Sequence, residues 1–277
     1  MNIAVLITCF NRKEKTVRSL QALKYQFAKT DYTYDIHLTD DGCTDGTAEA
    51  VLKESPEAII YKGGNLYYAG GMRLCWAGAV KKGGYDYYLL LNDDTYVNDY
   101  LFPDFEGCRK FGGDNSLIIG NTCHPDTGEG TYYGVRITSY CPFKSVHVEP
   151  KGYPEYISYS GANIWFVPHV LVEKIGIFPK IYVHAVADND YCLRTLRAGY
   201  KVIGTAHFCG YCIADHRGMT TDEMRNMSMK QRWLWLWSPK GAAMKQWLYF
   251  QCCFFPWRVP GVILRAIYNL IIGIGVR

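Results

Sequence analysis

The stretch Tyr87-Tyr88-Leu89-Leu90-Leu91-Asn92-Asp93-Asp94-Thr95 decides how this chain is read. It opens as an apolar run about as long as one buried β-strand. It ends in two adjacent carboxylates. Carboxylates at the tip of a core strand need partners. In an open α/β sheet, the carboxyl ends of the strands are where ligands bind. A hard cation such as Mg²⁺ or Mn²⁺, held by one or two carboxylates and by the oxygens of a diphosphate, suits such a pair. The alternative is a strand followed by a cap, with Asp94 or Thr95 closing the next segment.

Upstream, residues 3–9 read as a buried strand, and residues 14–27 carry Val17, Leu20, Leu23 and Phe27 at helical spacing. Residues 35–38 form a second strand that runs into Asp40-Asp41-Gly42-Cys43-Thr44-Asp45-Gly46-Thr47. Asp45 or Thr44 is a suitable N-cap for the helix expected there. Residues 58–61 form a third strand. Ala69-Gly70-Gly71 is read as the opening of a helix that runs to Lys82. Strands alternating with helices predict a parallel sheet with right-handed crossovers.

Downstream the pattern is less regular. Residues 117–120 and 131–137 read as strands, and the Pro- and Gly-punctuated residues 138–153 as a mobile or accessory region. A short helix follows Pro168. Ala187-Asp188-Asn189-Asp190 precedes a further helix, and residues 200–206 form a strand.

A parallel sheet brings four clusters to one crevice. They are Thr8 with Asn11 and Arg12; Asp40-Asp41-Gly42; Asn65 with Gly70 and Gly71; and Asp93-Asp94. A nucleotide fits there, with Asp41 accepting from a base or ribose. Gly70 and Gly71 would allow close backbone approach. The helix N-terminus and Arg73 would favour phosphates. Taken singly, each cluster also suits a turn or a helix cap. No G-x-G-x-x-G follows the first strand and no P-loop is present.

The chain has 277 residues, enough for one large domain with an appendage, and a net charge of +4. Charge is unevenly placed. No Asp or Glu follows Glu223, while Arg225, Lys230, Arg232, Lys240, Lys245, Arg258, Arg265 and Arg277 do. That asymmetry points to an anionic partner for the C-terminal end. The start shows no basic leader and too short an apolar run for a secretory signal. Eleven scattered cysteines, an odd count, read as reduced core residues. His207-Phe208-Cys209-Gly210-Tyr211-Cys212 holds a lone C-x-x-C and is read as strand rather than as a zinc site.

Several stretches together resemble the family 2 glycosyltransferases of GT-A fold. They are residues 3–12, 39–47, 64–71 and 91–94, then Ala187-Asp188-Asn189-Asp190-Tyr191-Cys192-Leu193-Arg194 with Ala198-Gly199-Tyr200. The branch most similar is the rhamnosyl- and galactofuranosyltransferase-like one of bacterial polysaccharide assembly, and the likeness spans residues 2–218. It implies an α/β fold, a mostly parallel sheet flanked by helices. It implies Thr8, Asn11, Arg12, Asp41, Asn65, Gly70, Gly71, Arg73 and Asp93 at the nucleotide. Asp94, with Mn²⁺ or Mg²⁺, would stand for the family's metal-binding D-x-D, and His216 falls where some members supply a further metal ligand. Asp188 falls at the catalytic base, although Ala187 stands where the family often has an acid. Gly161, Trp165 and Asp190, with the tyrosines at 67, 68 and 159, would shape the sugar or acceptor pocket; for Asp190 a helix-start role is the alternative, and His184 reads as structural.

The implied activity is inverting transfer from a UDP- or dTDP-linked sugar to a glycan or lipid-linked acceptor, with no nucleic-acid partner. The resemblance sets residues 1–222 as the catalytic domain and 223–277 as a helical tail. The tail's Trp233, Trp235, Trp237, Trp247 and Trp257 beside basic residues suit a helix in an anionic membrane interface. Packing on the domain or on a second subunit is the alternative. The expected location is the cytoplasmic face of the inner membrane, with a homo-oligomer allowed. Two rivals are a non-catalytic nucleotide- or glycan-binding relative and a sugar-phosphate nucleotidyltransferase. Cys9-Phe10-Asn11-Arg12 lacks the Gly-rich basic loop that the latter needs.

Overall fold

The computed structural model describes residues 1–214 and 218–275. Its first half alternates strand and helix as the sequence predicts. The elements are β1 (Asn2–Cys9), α1 (Lys13–Phe27), β2 (Thr33–Asp40), α2 (Thr47–Glu54), β3 (Ile59–Lys62), α3 (Tyr67–Lys82) and β4 (Tyr87–Leu91). Then come β5 (Tyr96–Val97), α4 (Leu101–Gly112), β6 (Leu117–Cys123), β7 (Gly130–Tyr132), β8 (Gly134–Tyr140) and β9 (Phe143–Val148). They are followed by β10 (Glu155–Tyr156), β11 (Ile164–Pro168), α5 (His169–Ile175), α6 (Ala187–Arg197) and β12 (Val202–Tyr211). The C-terminal helices are α7 (Thr221–Arg225), α8 (Met229–Trp237), α9 (Met244–Phe254) and α10 (Val259–Ile272).

The main sheet runs β10-β12-β6-β11-β4-β1-β2-β3. β1 pairs in parallel with β2 and β4, β2 with β3, and β6 with β12. β11 is inserted antiparallel between β4 and β6. The carboxyl ends of β1, β2, β3, β4, β6 and β12 therefore share one edge with the amino end of β11. That edge carries every functional candidate discussed below.

Both faces of the sheet are covered, which is why β1 and β4 read as unbroken apolar runs. On β1, Ile3, Val5 and Ile7 face the layer built by α1 and α4, against Leu20, Leu23 and Phe105. Ala4 and Leu6 face the opposite layer with Met72, Trp76 and Tyr191. This is the two-residue alternation of a strand.

Three local expectations change. Residues 138–148, within the stretch read as mobile or accessory, belong to an antiparallel hairpin of β8 and β9 that spans residues 134–148 as a separate two-stranded sheet. The N-cap of α2 is Gly46, at φ +78°, and Asp45 instead accepts from the Thr47 amide at 3.1 Å. α4 was missed, although Leu101, Phe102, Phe105 and Cys108 carry helical spacing and all are buried.

The C-terminal helices divide in two. α9 is built into the core, with Phe250, Phe254 and neighbouring Phe255 beside Tyr182 and Tyr191. α8 and α10 contribute no buried residue. They pack on each other, and Arg232 of α8 donates to the Leu270 and Ile271 carbonyls at the end of α10, both at 3.1 Å. Among the described residues no helix is long and apolar enough to cross a membrane.

Candidate functional site

The loops after β1 and β2 are tied together by short polar bonds. Asn11, at φ +50°, accepts from the Thr44 amide through Oδ1 at 2.8 Å, and its own amide meets Cys43 Sγ at 3.3 Å. An Asn tolerates the left-handed conformation better than most residues. Asp40 accepts from Lys62 Nζ at 2.7 Å and from the Cys43 amide at 2.7 Å.

Asp41 has a different task from the one the sequence suggests. Its Oδ1 accepts from the amides of Gly64 and Leu66, at 2.9 and 2.8 Å, and its Oδ2 from the amide of Tyr67 at 2.9 Å. The bonds expected to go to a base or ribose thus go first to the chain's own backbone. They fix the loop holding Asn65 (φ +60°) and Tyr67 (φ +57°). A Cβ on Gly63 would sit 2.7 Å from Asp41 Oδ1, so only glycine allows this approach.

The start of α3 also corrects the reading. The helix begins at Tyr67, so Gly70 and Gly71 lie inside it. A Cβ on Gly71 would lie 2.1 Å from Thr8 Oγ1, and Thr39 donates to the Gly71 carbonyl at 2.7 Å. Gly71 therefore brings the helix against β1 and β2 rather than making room for a phosphate. The amides of Ala69 and Gly70 both donate to the Val183 carbonyl, at 3.0 and 3.2 Å. Arg73 donates through Nη1 to the carbonyls of Pro179 and Tyr182, at 3.1 and 2.9 Å. Neither this helix end nor Arg73 is directed at a diphosphate; both anchor the segment leading to Asp188.

At the end of β4 the two carboxylates stand as the sequence predicts, with Arg12 between them. Arg12 Nη1 is 3.1 Å from Asp93 Oδ1 and 2.7 Å from Asp94 Oδ2. Asp93 is only 6% exposed. Burial pushes its carboxyl up to about 6, against the opposing pull of Arg12. Asp94 is the more accessible of the two, and Cys212 Sγ lies 3.8 Å from its Oδ1. Two carboxylates at one strand tip form a hard-oxygen donor pair that fits Mg²⁺ or Mn²⁺ completed by diphosphate oxygens. Among the described residues no group of three or more potential ligands supplies a closed metal cage. His216 lies outside the described residues.

Asp188 enters the same edge from α6. A Cβ on Gly161, just before β11, would lie 3.8 Å from Asp188 Oδ2. The Asn189 amide donates to Asp188 Oδ1 at 2.9 Å. Burial raises the Asp188 carboxyl above the ordinary range, opposed by main-chain donors from Asn189, Asp188 itself and Ala162. A raised carboxyl is a better proton acceptor once ionised. Beside it lies a cavity of about 220 Å³, lined by Tyr132, Tyr133, Tyr159, His147, Gly161 and Asn189 among others. Of this aromatic wall the sequence reading named Tyr159; Tyr132 and Tyr133 lie in residues read only as strand, and His147 in the stretch read as mobile or accessory.

Two pocket assignments fail. Trp165 is fully buried and donates through Nε1 to the Gly161 carbonyl at 3.0 Å, so it supports the pocket floor and faces the core. Asp190 is 2% exposed and is held by Tyr182 Oη at 2.9 Å and Arg194 Nε at 2.6 Å. It is an internal ion pair of α6 with no surface for an acceptor. The C-x-x-C region is strand up to Tyr211: His207 Nδ1 pairs with Asp104 Oδ1 at 2.9 Å, and of this region Cys212, just past the strand, is the residue that meets Asp94.

Residues 4–137 match the sequence model of the family described as Glycosyl transferase family 2. The chain carries a family 2 glycosyltransferase domain. The match covers β1 to β4 and the Asp93–Asp94 pair and stops before Gly161 and Asp188. The fold is GT-A. The solved structure of S. aureus TarS residues 1–349 with UDP is similar at TM-score 0.53 and 13% identity, covering 77% of this chain and 60% of that one. The same TarS fragment with UDP-GlcNAc matches at TM-score 0.53 and 13% identity, over 88% of this chain and 69% of that one. Longer S. aureus TarS matches at TM-score 0.54 and 13% identity, over 88% and 41%. This chain thus spans about 60% of the first of these structures. No curated protein matches the chain.

Proposed function

We propose that this family 2 domain is an inverting, metal-dependent glycosyltransferase. The donor is a UDP- or dTDP-linked hexose such as rhamnose or galactofuranose, and the acceptor is a hydroxyl of a lipid-linked glycan of a bacterial surface polysaccharide. The observation that carries this reading is the placement of Asp188. A carboxylate with a raised pKa stands beside Gly161 and Asn189, which line an aromatic cavity, on the same sheet edge as the Asp93–Asp94 pair. The nucleotides in the TarS complexes, UDP and UDP-GlcNAc, support a nucleotide-sugar donor.

Asp94, with Asp93 behind it, would hold the divalent ion, and the acceptor sugar would lie on Tyr132, Tyr133 and Tyr159. When bound, the ion supplies positive charge that offsets the charge on the departing diphosphate. Ionised Asp188 takes the proton of the acceptor hydroxyl. The acceptor oxygen bonds to the anomeric carbon while the bond from that carbon to the diphosphate oxygen breaks, and the electron pair leaves with the nucleotide. One displacement inverts the anomeric centre.

The exposed faces of α8 and α10 carry Trp233, Leu234, Trp237, Leu264, Ile267 and Ile271, with Leu264 68% exposed. No acid follows Glu223. This combination suits an anionic membrane interface on the cytoplasmic side, where a lipid-linked acceptor is presented.

The test is calorimetric titration with UDP, dTDP and GDP, each with and without Mn²⁺, followed by transfer assays with the matching sugar nucleotides. Tight binding of one nucleotide only with metal supports the reading and names the donor class. Folded protein that binds none of the three overturns it.

A further inference from the structure

Three consecutive main-chain amides of the segment before Asp188 converge on one oxygen atom. The N–H groups of Val183, His184 and Ala185 donate to Gln246 Oε1 at 2.9, 3.0 and 3.1 Å. Gln246 lies on α9, far from Asp188 in sequence, and is buried. All three partners are donors, so the oxygen of the side-chain amide must face them. Successive N–H groups aimed at one point form a concavity that favours negative charge. Here a neutral carbonyl oxygen fills it.

We infer that Gln246 is a positioning residue that sets the place of Asp188 from the C-terminal helix. The inference rests on Asp188 being the base. The segment is clamped from two sides. The Val183 carbonyl takes the Ala69 and Gly70 amides of α3, and the amides of Val183, His184 and Ala185 are held by α9. Val186 then turns at φ +53°, a left-handed conformation that a β-branched side chain disfavours. Such a residue keeps its conformation only when its surroundings over-determine it. Its carbonyl accepts from the Asp190 amide at 3.0 Å, which starts α6 and points Asp188 at Gly161. Without Gln246 three part-buried donors lose their acceptor, and the turn loses what holds it. Because Gln246 belongs to the C-terminal helical layer, that layer and the base share one side chain.

The experiment compares Gln246→Ala, Gln246→Glu and Gln251→Ala, the last a buried glutamine on the same helix whose Oε1 accepts no hydrogen bond among the described residues. Two readouts are used: amide hydrogen exchange of residues 183–187, and kcat and donor KM with the best sugar nucleotide. Gln246→Ala is expected to speed exchange of these amides at least tenfold and to lower kcat by about 10- to 100-fold with donor KM little changed. Gln246→Glu keeps an acceptor oxygen and restores both. Gln251→Ala lowers stability without either effect. Unchanged exchange in Gln246→Ala, or a kcat loss no larger than in Gln251→Ala, overturns the inference. If the wild-type protein transfers no sugar, the proposed function fails, and the exchange readout alone still decides whether Gln246 holds the segment.

Discussion

Arg12 reaches Asp94 across the mouth of the sheet, Nη1 to Oδ2 at 2.7 Å, and the same nitrogen touches Asp93 at 3.1 Å. The protein thus places its own cation where a divalent ion would be held. The ion and the guanidinium compete. Arg12→Ala is expected to raise Mn²⁺ affinity of the nucleotide-free protein by roughly 2- to 5-fold, the size of a partly exposed ion pair. The same variant weakens nucleotide binding, because a displaced Arg12 is free to meet the diphosphate. Titration calorimetry reads both, and a drop in Mn²⁺ affinity would refute the competition. Asp94→Asn removes the metal-dependent part of nucleotide binding.

Asp188 has its carboxyl raised mainly by burial. The folded protein therefore holds that proton more tightly than the unfolded chain, and ionisation near neutrality opposes folding. Stability from this group is present below the ordinary carboxylate value and is lost as pH rises through the raised one. Asp188→Asn is expected to raise Tm at pH 7 while cutting transfer by at least about 100-fold with nucleotide affinity intact. In the wild type, the acid limb of kcat against pH lies above the ordinary 3.8. An Asp188→Asn protein that transfers at the wild-type rate removes Asp188 from the mechanism.

Gly71 abuts β1 so closely that a methyl group has no room beside Thr8 Oγ1. Gly71→Ala is expected to cost about 1–3 kcal/mol through overpacking. Thr8→Ala in the same chain should relieve most of that loss, so a double-mutant cycle by chemical denaturation returns a favourable coupling. Purely additive losses would mean the strain lies elsewhere.

His37 is buried between two phenols, Nδ1 to Tyr61 Oη at 2.9 Å and Nε2 to Tyr85 Oη at 2.8 Å. Burial first, and the charge of Lys82 second, lower its pKa from 6.5 to about 4. The unfolded chain takes up this proton before the folded one does. Stability from this group is full above pH 6.5 and falls away as pH drops toward about 4, by up to about 3 kcal/mol. Denaturant unfolding at pH 7 and 4.5 measures the total, and NMR titration of His37 assigns its share. A His37 titrating at its ordinary value would contradict the burial argument.

Part of the candidate site was legible in the sequence. Asp93-Asp94 after an apolar run is a local pattern that strand periodicity places at the sheet edge, whereas Asp188, in the first turn of α6, was singled out only by the family resemblance. What misled was the assumption that a polar or glycine residue near that edge must face a ligand. Asp41, Arg73, Asp190 and Trp165 all bond to the chain itself. The reason is physical: buried main-chain amides and carbonyls at loop turns need partners, and a nearby side chain meets that need before any ligand arrives.

By itself, the sequence determined the α/β alternation, the strand faces and the carboxylates at the strand tips, because these follow from two-residue and 3.6-residue periodicity within short windows. Tertiary structure alone decided that Arg12 stands on Asp93 and Asp94. It alone decided that β11 enters antiparallel, that α9 joins the core, and that Gln246 gathers the amides of residues 183–185. Each of these joins residues distant in the chain, and their geometry is set by which groups are left without a partner once the sheet has closed.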